Sequence, residues 1–361
     1  MNSNQKYKDN ENIVLMIDGF KQGGSQQVYI MLLKEYALIF KSVTLVILES
    51  SKLDLNVPRL TNLEVIYLNS NRFFDVKSVI ALSKLLARLK PNFIIASIFR
   101  SQILSAIIKP KNSKLIWVEQ NTYYNRTKMQ WIIMRVLSFR VFRIICTSHR
   151  ILMITQRKIN KRKSVLLPNP INILDSRKLN TTRTDDFVFI GRMVEQKNPL
   201  LAIHGFKHFL DQYEELSVNS RMHFIGGGGL ISKAKSLSIE LGIENKCVFH
   251  GDVSLEKMFD VLNSSKVLVS TSTIEGFGLA RLEALGAGCC VVSTDTGGVE
   301  DYLTNLENIG VFIIDGSSEN ISKFMCKALN KEFWSTDGIN KRADNVSIFS
   351  PSVISKKWIS V

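Results

Sequence analysis

The sequence predicts an α/β protein of two doubly wound halves, each a parallel sheet covered by helices on both faces. Three observations predict it. Short apolar runs alternate with stretches of helical periodicity, and strands joined through helices pair in parallel. At 361 residues the chain can bury two sizeable cores. Between the two series lies Val165-Leu-Leu-Pro-Asn-Pro-Ile171, whose prolines hold the backbone extended, as in a connection between domains.

The first series opens with a short buried strand, Ile13–Ile17, then a loop, Asp18–Ser25, then a helix over Gln26–Phe40. This arrangement puts Gly23 and Gly24 at a helix N-terminus, which favours an anion. The loop lacks the G-x-G-x-x-G spacing of dinucleotide folds, which argues against an oxidoreductase. Further strands are expected at Val43–Leu48, Leu63–Tyr67, Phe93–Ala96, Lys114–Val118 and Arg143–Cys146, with helices over 76–89, 102–108 and 128–139. Pro91 fits a helix stop.

In the second series strands are expected at Phe187–Ile190, Met222–Ile225, Cys247–His250, Val267–Ser270, Val291–Ser293 and Val311–Ile314. Helices are expected over Pro199–Tyr213, 231–241, 255–263 and Ser318–Lys331. In the tail, Phe349, Ile354 and Trp358 suggest an amphipathic helix.

The stretch Ser270–Ser293 organises the second half. Val267-Leu-Val leads into polar residues, two glycines, a helical pattern and another apolar run. The loop carries Glu275, and the helix, expected to begin near Phe277 or Gly278, carries Glu283. Gly276 and Gly278 let the backbone approach a ligand, and unpaired N–H groups at the helix start suit a phosphate. Ionised glutamates only accept hydrogen bonds, so a pair of them beside a phosphate cradle suits sugar hydroxyls. The same pattern is also compatible with an ordinary βαβ turn whose acids are solvated.

Charge divides unevenly. Residues 1–170 hold 27 Lys+Arg against 9 Asp+Glu, whereas residues 171–361 hold 20 against 23. Within 100–163 stand 15 basic residues and one acid, Glu119. An anionic partner for the first half follows, either membrane, nucleic acid or a phosphorylated acceptor, unless the surface is basic and inert. Lys128–Arg143 interleaves cations with Trp and Phe, as a lipid-interface segment does, or as a core-facing helix with a solvated basic face does. Arg157-Lys-Ile-Asn-Lys-Arg-Lys163 is a compact basic patch or a solvated loop. The five cysteines are scattered without zinc or disulfide spacing, which implies a reducing cytoplasm. The polar start Met1–Asn12 does not read as a signal peptide, and no apolar run approaches a membrane span. His204 and His208 have the four-residue spacing of a metal pair but no evident third ligand, so no metal is expected.

Glu275-Gly-Phe-Gly-Leu-Ala-Arg-Leu-Glu283 resembles the signature of the retaining glycosyltransferases of family four. So do Gly191-Arg-Met-Val-Glu-Gln-Lys-Asn198, Phe224-Ile-Gly-Gly-Gly-Gly229, His250-Gly251 and Gly297-Gly298-Val-Glu300, in order over roughly 186–316. The resemblance implies the GT-B fold, two doubly wound Rossmann-like domains facing each other across a cleft. It divides the chain into an acceptor-side domain, 1–168, a nucleotide-sugar-binding domain, 169–348, and a tail, 349–361, returning to the first. The donor it implies is a nucleotide-sugar, commonly a UDP-sugar, which is a substrate, so no cofactor is expected.

Residue by residue, the resemblance assigns Arg192 and Lys197 to the donor diphosphate and Glu275 to the donor sugar, these three carrying catalysis. Glu283 takes the ribose hydroxyls. Gly24, Gly191, Gly226, Gly227, Gly276, Phe277, Gly278 and Leu279 complete the donor site, and Gly23 lies near the acceptor. The family commonly has a histidine in the loop after the fifth strand. Here Gln120 or Asn121 stands there, an amide that can bond a sugar hydroxyl but brings no charge. No D-x-D motif of the metal-using transferases is present. The expected partners are the donor, a lipid-linked or polysaccharide acceptor of bacterial surface glycan synthesis, and the anionic inner face of the plasma membrane, without nucleic acid. Two other readings fit parts of the pattern. One is a non-catalytic membrane- or nucleic-acid-binding protein on this scaffold, and the other is an inverting GT-B transferase or an epimerase.

Overall fold

Runs rich in Val, Ile and Leu that lose both faces to helices build every central strand of the protein. The computed structural model describes residues 11–20, 23–49, 57–70, 75–120, 126–174 and 179–361. Asn121 therefore lies outside the described residues. The chain forms two compact units, Met1–Ile171 together with Phe349–Val361, and Asn172–Ile348.

The first unit runs β1 (Asn12–Ile17), α1 (Gly24–Ile39), β2 (Ser42–Ile47), β3 (Leu63–Tyr67), α2 (Val76–Leu89), β4 (Phe93–Ser97), α3 (Phe99–Ile108), β5 (Lys114–Glu119), α4 (Lys128–Leu137), β6 (Arg143–Cys146), α5 (His149–Thr155) and β7 (Ser164–Leu166). Its seven strands are parallel in the order β3-β2-β1-β4-β5-β6-β7. Val14, Met16, Ile94, Trp117 and Ile144 form the centre of one core layer, with Leu82, Leu86, Ile103 and Met134 from the helices.

The second unit runs β8 (Thr184–Ile190), α6 (Pro199–Gln212), α7 (Glu214–Ser217), β9 (Met222–Ile225), α8 (Ile231–Glu240), β10 (Cys247–Gly251), α9 (Leu255–Ser264), β11 (Ser265–Ser270), α10 (Leu279–Gly286), β12 (Cys290–Thr294), β13 (Val311–Ile314), α11 (Ser318–Ala328) and α12 (Thr336–Asn345). Six parallel strands lie in the order β10-β9-β8-β11-β12-β13. Phe187, Phe206 and Phe209 pack as one aromatic group, the Phe187 and Phe209 rings 4.9 Å apart.

A last helix, α13 (Pro351–Ser360), belongs to the first unit. Trp358 is fully buried there and donates its indole N–H to the Pro168 carbonyl at 2.9 Å. The Tyr36 hydroxyl donates to the Ser355 carbonyl at 3.2 Å, and the Ile171 amide to the Phe349 carbonyl at 3.1 Å.

Several local features differ from expectation. Val165 and Leu166, expected as part of the connection, belong to the edge strand β7, and the units divide after Ile171, which is fully buried. Helix α3 starts at Phe99 because Asp18 caps it, accepting from the Ser101 amide at 2.7 Å and the Arg100 amide at 3.2 Å. The α12 helix was not expected at all. Finally, residues 157–163, expected as a compact basic patch or a solvated loop, are a folded segment that exposes Arg157, Lys158, Lys161 and Arg162 but not Lys163 to the same degree. A π-helical turn, Gln156–Asn160, extends α5, and the Lys163 ammonium donates to the carbonyls of Ser138, Phe139 and Val141 at 3.0, 2.8 and 2.6 Å. Lys163 is thereby a helix cap rather than a surface charge.

All five cysteines are free thiols, four of them buried. Among the described residues no helix is long and apolar enough to cross a membrane.

Removing the Trp358 indole leaves a cavity and an unpaired carbonyl. Trp358→Ala should therefore cost about 3–5 kcal/mol, the usual range for a buried aromatic. Urea denaturation followed by circular dichroism measures it, and a loss below about 1 kcal/mol would contradict the docking of α13.

Candidate active site

Strand order in the second sheet runs outward from β8 and β11 in opposite directions, β9 and β10 on one side and β12 and β13 on the other. Beyond the carboxyl ends of such a pair, the two diverging loops open a crevice where open α/β sheets bind ligands. The loop after β8 carries Arg192 and Lys197, and the loop after β11 carries Glu275.

These two loops are stitched together. The Thr273 amide donates to the Gln196 carbonyl at 2.9 Å, and the Gln196 side-chain amide returns a bond to the Ile274 carbonyl at 2.9 Å. The Thr271 hydroxyl donates to the Asn198 carbonyl at 2.7 Å. Within this frame the Lys197 ammonium donates to Glu275 Oε1, and the Ser272 hydroxyl donates to the same oxygen at 2.8 Å. Burial works against charge on Glu275. The Lys197 ammonium, with help from Arg281 and the Ser272 hydroxyl, outweighs it and holds the carboxyl below its ordinary range. Glu275 is accordingly an ionised, acceptor-only group at neutral pH.

Arg192 differs. It is exposed, and among the described residues no hydrogen bond or ion pair engages its guanidinium. A cation without a carboxylate partner, one turn of loop from Lys197, is available to an incoming anion.

Two glycines allow the neighbouring loops to close on these. Gly226, at φ +121°, follows β9, and a Cβ there would overlap the Gly191 carbonyl oxygen. Gly298, at φ +100°, follows β12 and lies as tightly against the Phe277 carbonyl. Only glycine fits either place. Gly227 donates its amide to Asp252 at 2.8 Å. Phe277 is buried with its ring edge-on to Tyr302, centroids 5.8 Å apart. Gly278 is a left-handed cap, so α10 begins at Leu279, one or two residues later than expected.

Glu283 sits within α10, 7 % exposed. Its Oε1 accepts from the Asn172 side-chain amide at 2.9 Å, a partner 111 residues away. Burial outweighs that bond and pushes its carboxyl up to about 7. Sequence reasoning had no means of finding Asn172. Nor did it single out Arg281, which is 1 % exposed and bonds Glu300 at 2.9 Å, the Gly297 carbonyl at 2.5 Å and the Ser293 hydroxyl at 3.3 Å. Arg281 ties α10 to the glycine turn after β12.

The remaining expected residues belong to the first unit. Gly23 and Gly24 begin α1 after β1. Gln120, just beyond β5, donates its side-chain amide to Asn169 Oδ1 at 3.0 Å, and its own oxygen is buried without a partner. His204 and His208 lie on α6, where His208 faces Glu319 at 3.8 Å. No group of three or more His, Cys, Asp or Glu side chains suited to a metal occurs among the described residues. His223 and His250 stack with ring nitrogens 3.0 Å apart, and Asp186 lies 3.5 Å from His223.

Two parallel-sheet Rossmann-like units, the second with glycine loops and paired glutamates around its switch point, have the α/β architecture of GT-B glycosyltransferases. The likeness to solved structures agrees. HepE of Anabaena, solved in complex with UDP and glucose, superposes with a TM-score of 0.76 at 14 % identity, covering 97 % of this chain and 99 % of that one. Residues 173–345 match the family model described as Glycosyl transferases group 1. An uncharacterized glycosyltransferase of Methanocaldococcus jannaschii is 27 % identical over 167 residues, 46 % of this chain and 38 % of its own length. A GDP-Man:Man(3)GlcNAc(2)-PP-Dol alpha-1,2-mannosyltransferase of Dictyostelium discoideum is 22 % identical over 190 residues, 50 % of this chain and 37 % of its own. The match thus spans well under half of either relative.

The raised Glu283 pKa has a stability consequence. A carboxyl whose folded pKa lies above its unfolded value keeps its full contribution below pH 4.5 and loses it as pH rises through about 7. Glu283→Gln should be nearly neutral at pH 5 and stabilising by on the order of 3 kcal/mol at pH 8. Paired urea titrations at the two pH values check this. A variant equally stable relative to the parent at both would contradict the buried, proton-retaining glutamate.

Proposed function

We propose that this protein is a retaining glycosyltransferase that moves one sugar, a hexose or N-acetylhexosamine, from a UDP-sugar to an acceptor. The observation that carries the reading is the pairing at the switch point, where an unpartnered Arg192 and a Lys197 held by Glu275 stand on adjoining, stitched loops. That set suits a sugar diphosphate. The two cations and the amides at the start of α10 meet the charge that develops on the leaving diphosphate. Glu275, relieved of Lys197, accepts from the sugar hydroxyls, and Glu283 accepts from the ribose. With two cations for the diphosphate, the reading needs no divalent metal.

Retention follows from a same-face substitution. The bond from the anomeric carbon to the diphosphate oxygen breaks as the bond to the acceptor oxygen forms on that face, and the departing phosphate oxygen takes the acceptor proton. Stabilising the leaving group is then the main catalytic contribution. In this proposal Gly23, Gln120 and Asn121 contact acceptor or sugar.

The acceptor we propose is lipid-linked or a growing polysaccharide of the bacterial surface (O-antigen, capsule or lipopolysaccharide), reached from the cytoplasmic face of the membrane. Two features support it. The first unit is strongly basic, and the Dictyostelium relative is named for an acceptor ending in PP-Dol. The UDP complex of HepE supports uracil as the base.

Arg192→Ala and Lys197→Ala should each weaken UDP binding roughly 10- to 150-fold, the worth of a hydrogen bond to a charged group. Calorimetric titration measures this, with circular dichroism confirming the fold. Glu275→Ala should abolish transfer while UDP still binds. Wild-type turnover in the Glu275 variant would remove the basis of the transferase reading.

A further inference from the structure

Helix α4 exposes the wrong residues for a helix facing water. Met134 is fully buried, and Trp131, Ile133 and Leu137 pack against the same core. On the other side Met129, Ile132, Val136 and Phe139 are 64, 56, 60 and 69 % exposed. Their spacing of three, four and three residues puts them on one stripe along α4 and the 3-10 turn Ser138–Arg140 that continues it. Single exposed apolar side chains are ordinary, but four in register make a patch that marks an interaction surface.

The surroundings say what kind of surface. Lys128 and Arg135 are exposed on α4 itself, and Arg157, Lys158, Lys161 and Arg162 are exposed on the segment that packs beside it. The one acid between residues 100 and 163, Glu119, is 1 % exposed and paired with Arg126 at 3.1 Å. This stretch therefore offers cations and hydrocarbon to the outside, with no carboxylate among them. A polyanion alone would account for the cations. It would not account for Met129, Ile132 and Val136, which unlike Phe139 have no flat face on which a base can stack. Hydrocarbon flanked by cations matches the interface of an anionic bilayer, where apolar side chains enter the acyl boundary and cations meet the headgroups.

We propose that the Met129–Ile132–Val136–Phe139 stripe inserts into the headgroup boundary of an anionic phospholipid membrane, with the flanking cations at the surface. This rests on, and deepens, the lipid-linked acceptor reading by naming the element that brings the protein to its acceptor. The binding itself is separable from transfer. Lys163 takes no part, since it caps α4.

The test uses the full chain with extruded vesicles, half phosphatidylglycerol and half phosphatidylcholine, against phosphatidylcholine alone and against a short single-stranded RNA. Sedimentation should show binding to the anionic vesicles, weak binding to the neutral ones, and a fall as salt screens the headgroups. Ile132→Asp combined with Val136→Asp should weaken vesicle binding at least about tenfold, since each puts a charge into the boundary. Both positions are exposed, so circular dichroism and UDP affinity should stay unchanged. Ile132→Trp, read against the parent spectrum, should shift its added emission to the blue with anionic vesicles only. Wild-type vesicle binding by the double variant would overturn the proposal. So would RNA binding tighter than vesicle binding and equal in parent and variant. Loss of vesicle binding in the variant, in a chain that binds no UDP, would uphold docking and sink the transferase reading instead.

Discussion

The ion pair between Lys197 and Glu275 is the contact on which the second unit's site depends. In net stability such a pair is worth little, because desolvation offsets most of the Coulomb gain. Its effect is geometric and electrostatic. It keeps a largely buried carboxylate ionised and fixes the loop after β8 against the loop after β11. In the proposed function an incoming diphosphate displaces Glu275 from Lys197, while Arg192 stands without a carboxylate partner among the described residues.

The loops after β9 and β12 are built around that pair by the absence of side chains. Gly226 lies flush against the Gly191 carbonyl and Gly298 against the Phe277 carbonyl, so four loop backbones converge with no Cβ between them. Arg281 then locks the last of these turns to α10, whose Glu283 carries its own burial cost. A carboxyl buried at such cost is typical of a site shaped for a ligand rather than for stability alone.

Much of the architecture was legible in the sequence, for reasons that can be traced residue by residue. Val76–Leu89 shows clear helical periodicity between an Asp75 cap and Pro91, and the structure has that helix with those bounds. Strands β3, β6, β9 and β13 are dense β-branched or aromatic runs with sharp ends, and they fall where expected. The edge strand β7 was not legible, because three residues beside two prolines carry no periodic signal. Helix α12 hid because its sequence is polar and Arg342 occupies a fully buried place, bonded to the carbonyls of Gly288 and Phe333. The site divides in the same way. Glycine loops and the two glutamates stand in local sequence, whereas the Asn172 bond to Glu283, the Arg281 clamp and the Asp186–His223–His250 string are products of tertiary folding. The outward stripe on α4 was half legible, since periodicity shows amphipathicity but not which apolar face lies outside.

The central claim is that the diphosphate of an activated sugar lodges at the β8–β11 switch point by taking Lys197 from Glu275. A crystal structure of the protein soaked with UDP tests it most directly. The account predicts the phosphates against Arg192 and Lys197, with the Lys197–Glu275 bond opened. Phosphates bound elsewhere, with that bond intact, would contradict it.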